Sequence, residues 1–211
     1  MIIAVDGPAA SGKGTLARRI ARHFDYAYLD TGKIYRAVGR RVLDAGGDPE
    51  DPDDATAAAR ALQASELDDP RLASDWVADA ASKVAAIEGV RTVLLGFQKA
   101  FAANPPGGVR GAVLDGRDIG TVICPDADMK LFVTADVEER ARRRHKELLD
   151  KGETSIYPRV LQALKDRDAR DSNRSSAPLS AAADAIVIDT TAMDPDEAFA
   201  SALESIRKHT G

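Results

Sequence analysis

The chain has 211 residues, 44% of them hydrophobic, with a formal net charge of −5. That length and apolar content suit one domain with a sizeable core, and the acidic balance argues against a nucleic-acid or membrane-surface binder, which carries a net basic field. A lone cysteine, Cys124, excludes an internal disulfide and reads as a small core residue, and His23, His145 and His209 lack metal-ligand spacing.

The opening MIIAVDG is too short an apolar run for a secretory leader, and no later segment approaches the roughly 20 apolar residues that cross a bilayer, so a soluble cytoplasmic chain is expected. Residues 2–6 read as a strand that ends in a glycine-rich turn, followed by helical spacing through Leu16, Ile20 and Phe24. Between them lies Gly7-Pro8-Ala9-Ala10-Ser11-Gly12-Lys13-Gly14-Thr15. A glycine-rich loop between a strand and a helix aims backbone N–H groups at one spot, and the helix N-terminus adds partial positive charge there. Lys13 then reaches the β- and γ-phosphates of a nucleoside triphosphate, while the Thr15 hydroxyl is placed to hold Mg²⁺. Against the strict G-x-x-x-x-G-K-[ST] pattern, Gly14 is inserted before the hydroxyl.

AYLD at 27–30 is a second strand, followed by a helix over about 33–43. The turn-rich stretches at 46–54 and 104–108 then bracket an alanine-rich, helix-favouring segment that stands as an insertion. Further strands follow at 111–116, 130–135 and 185–189, with a charged helix after the fourth and a C-terminal helix after the fifth. Strands alternating with amphipathic helices predict an α/β fold of three layers, a five-stranded parallel sheet with helices on both faces. One domain is expected, with a core of about 1–40, 108–145 and 158–211, a mainly helical insertion of about 41–107 and a short lid of about 146–157.

In an open parallel sheet, ligands collect beyond the carboxyl ends of the strands. Asp30-Thr31-Gly32-Lys33-Ile34-Tyr35-Arg36 falls there, and so does Asp115-Gly116-Arg117-Asp118. Arg36 and Arg117 offer planar forks for a second phosphate facing the first. Arg167, Arg170, Asp171 and Arg174 mostly repeat at spacings of three or four and share a helix face, whereas Asp166 and Asp168 read as solvated partners such as Asp166 with Arg170. The basic run from Arg140 to Lys146 reads as mostly solvent-exposed, partnered by Glu138 and Glu139, with one arginine reaching the triphosphate.

The combination of GPAASGKGT, LDTGKIYRA, ADAASKVAAIEGVR, LDGRDIGTVICPDAD and KDRDARDSNR closely resembles bacterial cytidylate kinases, P-loop nucleoside monophosphate kinases. The resemblance implies ATP-dependent phosphorylation of CMP and dCMP, with Mg²⁺ as cofactor, in a chain read as a monomer with no nucleic-acid or membrane partner. It also implies residue roles: Lys13, Arg117 and Arg174 as catalytic, and Ser82, Arg91 and Asp118 on the cytosine. Arg167 and Asp171 fall to the sugar, and Thr31, Tyr35, Arg36, Arg117 and Arg174 to the acceptor site and its phosphate. A P-loop kinase for another monophosphate or small metabolite is the alternative. One departure stands out, since the insertion is too short and too β-poor for the small sheet that longer bacterial members carry there.

Overall fold

The computed structural model describes residues 1–210. Five parallel strands form one sheet in the order β2-β3-β1-β4-β5, with β1 at Ile2–Asp6, β2 at Ala27–Asp30, β3 at Ala112–Gly116, β4 at Met129–Thr134 and β5 at Ile186–Asp189. Strands β1 and β3 are continuous apolar runs because both of their faces are covered. Ile3 and Val5 join Val113, Leu131 and Ile188 beneath α1 (Lys13–Phe24) and α8 (Pro195–Thr210). Ala4 and Leu114 face the other way, into a core with α2 (Thr31–Asp44), α3 (Pro52–Arg60) and α5 (Glu88–Ala103). Helices on both faces and an all-parallel sheet are the architecture expected from the strand–helix alternation.

Helix α2 starts two residues earlier than its apolar spacing suggests. Asp30, the last residue of β2, also serves as its N-cap, accepting the Lys33 N–H at 3.1 Å, so strand passes into helix with no loop. The insertion between β2 and β3 holds α3, three short 3₁₀ turns, α4 (Asp75–Val84) and α5, and no strand among the described residues. It docks on the core through α2 and α4. A Cβ on Gly39 would lie 2.9 Å from the Ala80 backbone, so only glycine permits this approach.

After β4, α6 (Val137–Asp150) and α7 (Tyr157–Asn173) form a hairpin packed over the phosphate loop through Ala9, Ala141 and Leu164. The connection between them is residues 151–156. Strand register aligns Asp30 with Asp115 and Asp6 with Gly116, which brings the loops after β1, β2 and β3 together at one edge.

Candidate functional site

A cleft of about 740 Å³ opens at that edge. Its floor is the glycine-rich loop, which lines it from Ala9 to Thr15. Gly7 has φ +151, and a Cβ there would fall 2.0 Å from the Val133 carbonyl oxygen of β4. The loop is held from outside by its carbonyls. Arg140 donates to Ala9 at 3.2 Å, the Thr190 hydroxyl to Ser11 at 3.0 Å and Lys13 Nζ to Pro8 at 3.4 Å. The first turn of α1, whose N–H groups have no partner within the helix, opens onto the same cleft, an arrangement that suits phosphate oxygens.

Lys13 lies in this floor with its Nζ 3.8 Å from Asp115. Burial above all, then the Arg117 charge, lowers its amine to about 8, against the pull of Asp115. Burial raises Asp115 in turn, opposed first by Lys13, and the Tyr28 hydroxyl donates to its Oδ2 at 3.2 Å. Although the whole chain is acidic, Lys13, Arg36, Arg117, Arg143, Arg144 and Arg167 all line the cleft. Arg117 and Arg36 both push against Arg167, which burial foremost lowers to about 10. Such crowding of cations in a partly desolvated space is a standing demand for anions.

The second cluster gathers from four separate parts of the chain. Arg91 of α5 pairs with Asp118, which follows β3, and Arg174 at the end of α7 reaches the other oxygen of Asp118 at 3.4 Å. Burial raises the Asp118 carboxyl, with Arg91 and then Arg174 opposing. Beside it, Asp171 accepts from Arg117 at 3.0 Å and lies 3.8 Å from Arg167; burial acts to raise it, but Arg117 and Arg167 outweigh that and hold it low. Ser82 is buried with its hydroxyl 3.5 Å from Asp171, and Arg170 donates to the same hydroxyl at 3.3 Å. Tyr35 is buried, with the Arg91 guanidinium 5.7 Å over its ring. The structure thus brings together Tyr35, Ser82, Arg91, Arg117, Asp118, Arg167, Asp171 and Arg174, which are up to 139 positions apart by their numbering. Thr31 sits beneath them, buried, with its hydroxyl taken up by the Asp115 carbonyl at 2.8 Å.

Several side chains do something other than expected. Arg140 is not a solvated member of the basic run: it is 5% exposed and donates to Ala135, Ala9 and, at 2.7 Å, Asp168. Asp168 is therefore a brace between α6 and α7, not a solvated face. Asp166 accepts from Gln162 at 2.8 Å, while Arg170 crosses to Asp79 of α4 at 2.7 Å. Arg144 likewise pairs with Asp75, so two ion pairs tie the insertion to the α6–α7 hairpin over the cleft. Arg143 donates to the Thr190 hydroxyl at 3.0 Å, and its guanidinium stands beside Gly12.

Tyr28, Arg140, Asp75 and Asp79 escaped the sequence reading because nothing in their spacing shows which distant group they meet. Among the described residues no group of three or more acidic, histidine or cysteine side chains is placed to hold a metal ion. The exposed Thr15 hydroxyl at the cleft is the group available to one carried in on phosphate.

A family model described as cytidylate kinase matches residues 3–208. A cytidylate kinase of Paramagnetospirillum magneticum is 60% identical over 202 residues, covering 96% of this chain and 95% of that protein. One of Rhodospirillum rubrum is 56% identical over 204 residues, covering 97% and 96%. Among solved structures, an uncharacterized protein from Eubacterium ventriosum superposes with a TM-score of 0.54 at 16% identity, covering 98% of each chain, a likeness of fold alone.

Proposed function

The chain belongs to the cytidylate kinase family, and from the geometry of its cleft we propose that ATP lies on residues 7–15 and CMP on the Arg91–Asp118–Arg174 cluster. The enzyme transfers the terminal phosphoryl group of ATP to CMP. The observation that carries the placement of the acceptor is the buried Asp118 carboxylate held by two arginines, directly after Arg117, which lines the cleft together with the phosphate loop.

Cytosine presents an N4 donor to a carboxylate and O2 and N3 acceptors to an arginine or hydroxyl, which is the chemistry of Asp118, Arg91 and Ser82. Arg167 and Asp171 face the sugar, and dCMP is proposed as a second acceptor. Arg36, Arg117 and Arg174 take the acceptor phosphate, Tyr35 walls the base site, and Thr31 acts through the Asp115 loop it fixes. Lys13, Arg117 and Arg174 are proposed as the catalytic residues, stabilising charge on the phosphoryl group in flight. The transfer needs positioning and charge neutralisation more than covalent chemistry.

Mg²⁺ is proposed as the cofactor, held by the Thr15 hydroxyl and the triphosphate. A hydroxyl at the cleft without an all-protein cage fits an ion that keeps several waters and binds through substrate phosphates. When bound it neutralises charge on the β- and γ-phosphates. Of the arginines in α6, Arg143 and Arg144 line the cleft and are the proposed contacts to ATP. A monomer is proposed. No described helix is long and apolar enough to cross a membrane, and a cytoplasmic enzyme is proposed.

A crystal structure with CMP and an unreactive ATP analogue tests the placement. The account expects the N4 amine within hydrogen-bond distance of Asp118; a base seated elsewhere in the cleft refutes it.

A further inference from the structure

Asp6 is the last residue of β1 and belongs to none of the phosphate or acceptor groups above. Its side chain is enclosed, with the residue 4% exposed, yet it does not point into the phosphate loop that begins one residue later. One carboxylate oxygen accepts the N–H of Ile119 at 2.8 Å and the other accepts that of Gly120 at 2.8 Å. These two residues directly follow Asp118 and open the π-type turn Ile119–Ile123. No side chain caps that turn at Asp118, whose own carboxylate is turned to Arg91 and Arg174. The leading N–H groups of a helical turn have no partner within it, so here they rely on a carboxylate from another strand. The fit is close: a Cβ on Gly120 would meet the Lys130 side chain at 3.1 Å and Asp6 Oδ2 at 3.4 Å.

We propose that Asp6 is a positioning residue for acceptor recognition, fixing Asp118 against the base through the two N–H groups that follow it. The inference rests on the reading of Asp118 as the residue that recognises cytosine. A buried carboxylate that accepts two N–H bonds makes the turn rigid, and both N–H groups are orphaned if it is removed. Strand β1 then supports both halves of the reaction, the donor loop through its chain direction and the acceptor turn through this side chain.

Ionisation is part of the device. Burial foremost pushes the Asp6 carboxyl up to about 7, with Asp118 and Asp115 adding repulsion and the two N–H groups opposing it. The other titratable groups facing this space are the Cys124 thiol at the end of the turn and Lys130 of β4, whose amine is held by Asp184 at 2.8 Å. Ionised Asp6 accepts from both Ile119 and Gly120. Once protonated it carries an O–H donor of its own, and one of the two N–H groups loses its acceptor. The turn, and Asp118 with it, is therefore held firmly above about pH 7 and loosened below it.

The test is the ratio of kcat/KM for CMP to that for UMP, followed from pH 5.5 to 8.5 in the wild type, Asp6→Asn and Asp118→Asn, with the KM for ATP alongside. The phosphates of CMP and UMP titrate alike near pH 6, so the ratio cancels their ionisation. In the wild type it should fall about tenfold between pH 8 and pH 6, and in Asp6→Asn it should be about tenfold lower at pH 8 and flat with pH, with the ATP KM changed less than about twofold. A merely structural role would lower kcat for both acceptors and leave the ratio unchanged. A pH dependence belonging to Asp118 itself would persist in Asp6→Asn. Either result overturns the inference, as does a wild-type ratio constant with pH.

If Asp118→Asn abolishes discrimination while Asp6→Asn keeps it, the positioning inference alone fails. If Asp118→Asn leaves discrimination intact, the reading of Asp118 fails and the inference falls with it. Should Asp6→Asn not fold, the wild-type amides of Ile119 and Gly120 provide the check by NMR: their shifts should titrate together with a midpoint near pH 7, and amides that do not titrate overturn the proposal.

Discussion

Arg91 and Asp118 form an ion pair in which the arginine side chain is 8% and the carboxylate side chain 5% exposed. The arginine comes from the insertion and the carboxylate from the turn after β3, so this contact joins the two parts of the molecule inside the proposed base site. A desolvated carboxylate with a hydrogen-bonding partner on each oxygen has a fixed direction. It can distinguish an exocyclic amine from a carbonyl where a solvated one could not.

Replacing Asp118 by Asn keeps the shape and exchanges one acceptor oxygen for a donor. The amide can then face O4 of uracil, and Arg91 and Arg174 lose their charged partner. Steady-state kinetics should show kcat/KM for CMP reduced about 100-fold and the preference over UMP largely removed. A preference retained in full assigns base recognition to other residues.

Lys13→Ala removes the cation from the phosphate floor. Turnover should drop at least about 100-fold, on the scale of losing one preorganised group that stabilises transition-state charge. The far-UV circular dichroism spectrum and melting temperature should stay close to the wild type, because Lys13 is held in the folded state under unfavourable burial and repulsion from Arg117. Near-normal turnover contradicts its proposed role.

The lowered amine of Lys13 gives a signed pH dependence. Below about pH 8 Lys13 is cationic in the free enzyme, and above it the neutral form takes over. Since kcat/KM reports the free enzyme, its value for ATP should fall about tenfold per pH unit beyond that point. Bound triphosphate raises the amine again, so kcat at saturating ATP should decline only at higher pH. Initial rates from pH 6.5 to 9.5 at limiting and saturating ATP separate the two; a kcat/KM flat to pH 9.5 contradicts the account.

Arg140 is the brace between the phosphate loop and the α6–α7 hairpin. Arg140→Ala strips donors from Ala135, Ala9 and Asp168, and should cost about 2–3 kcal/mol, below the usual range for a buried pair because Asp168 is 24% exposed on its side chain. The midpoint of urea unfolding measures this. A shift within error of zero would mean that the surrounding packing holds the loop without it.

The sheet, its helices and the phosphate loop were legible in the sequence because each depends on local pattern: an apolar run, a 3.6-residue spacing, a glycine-rich turn of fixed form. The cluster proposed to hold the acceptor was legible only through its motifs, since Ser82, Arg91, Asp118 and Asp171 are far apart and their meeting depends on how the insertion docks at Gly39. Arg140 was misread for the same reason. Within a run of arginines, the one facing inward is decided by the partners Ala9 and Asp168, not by its neighbours in sequence. Asp6 had one local sign, a carboxylate ending an otherwise apolar strand, but its partners lie 113 and 114 residues away.

The most direct test of the central claim is a coupled assay of the purified protein with Mg·ATP and CMP, dCMP, UMP, AMP and GMP as acceptors. The account predicts that CMP has the highest kcat/KM among the ribonucleotides, at least about 100-fold above UMP, with ADP and CDP formed in equal amounts. Equal kcat/KM for CMP and UMP, or a higher value for AMP or GMP, would contradict it.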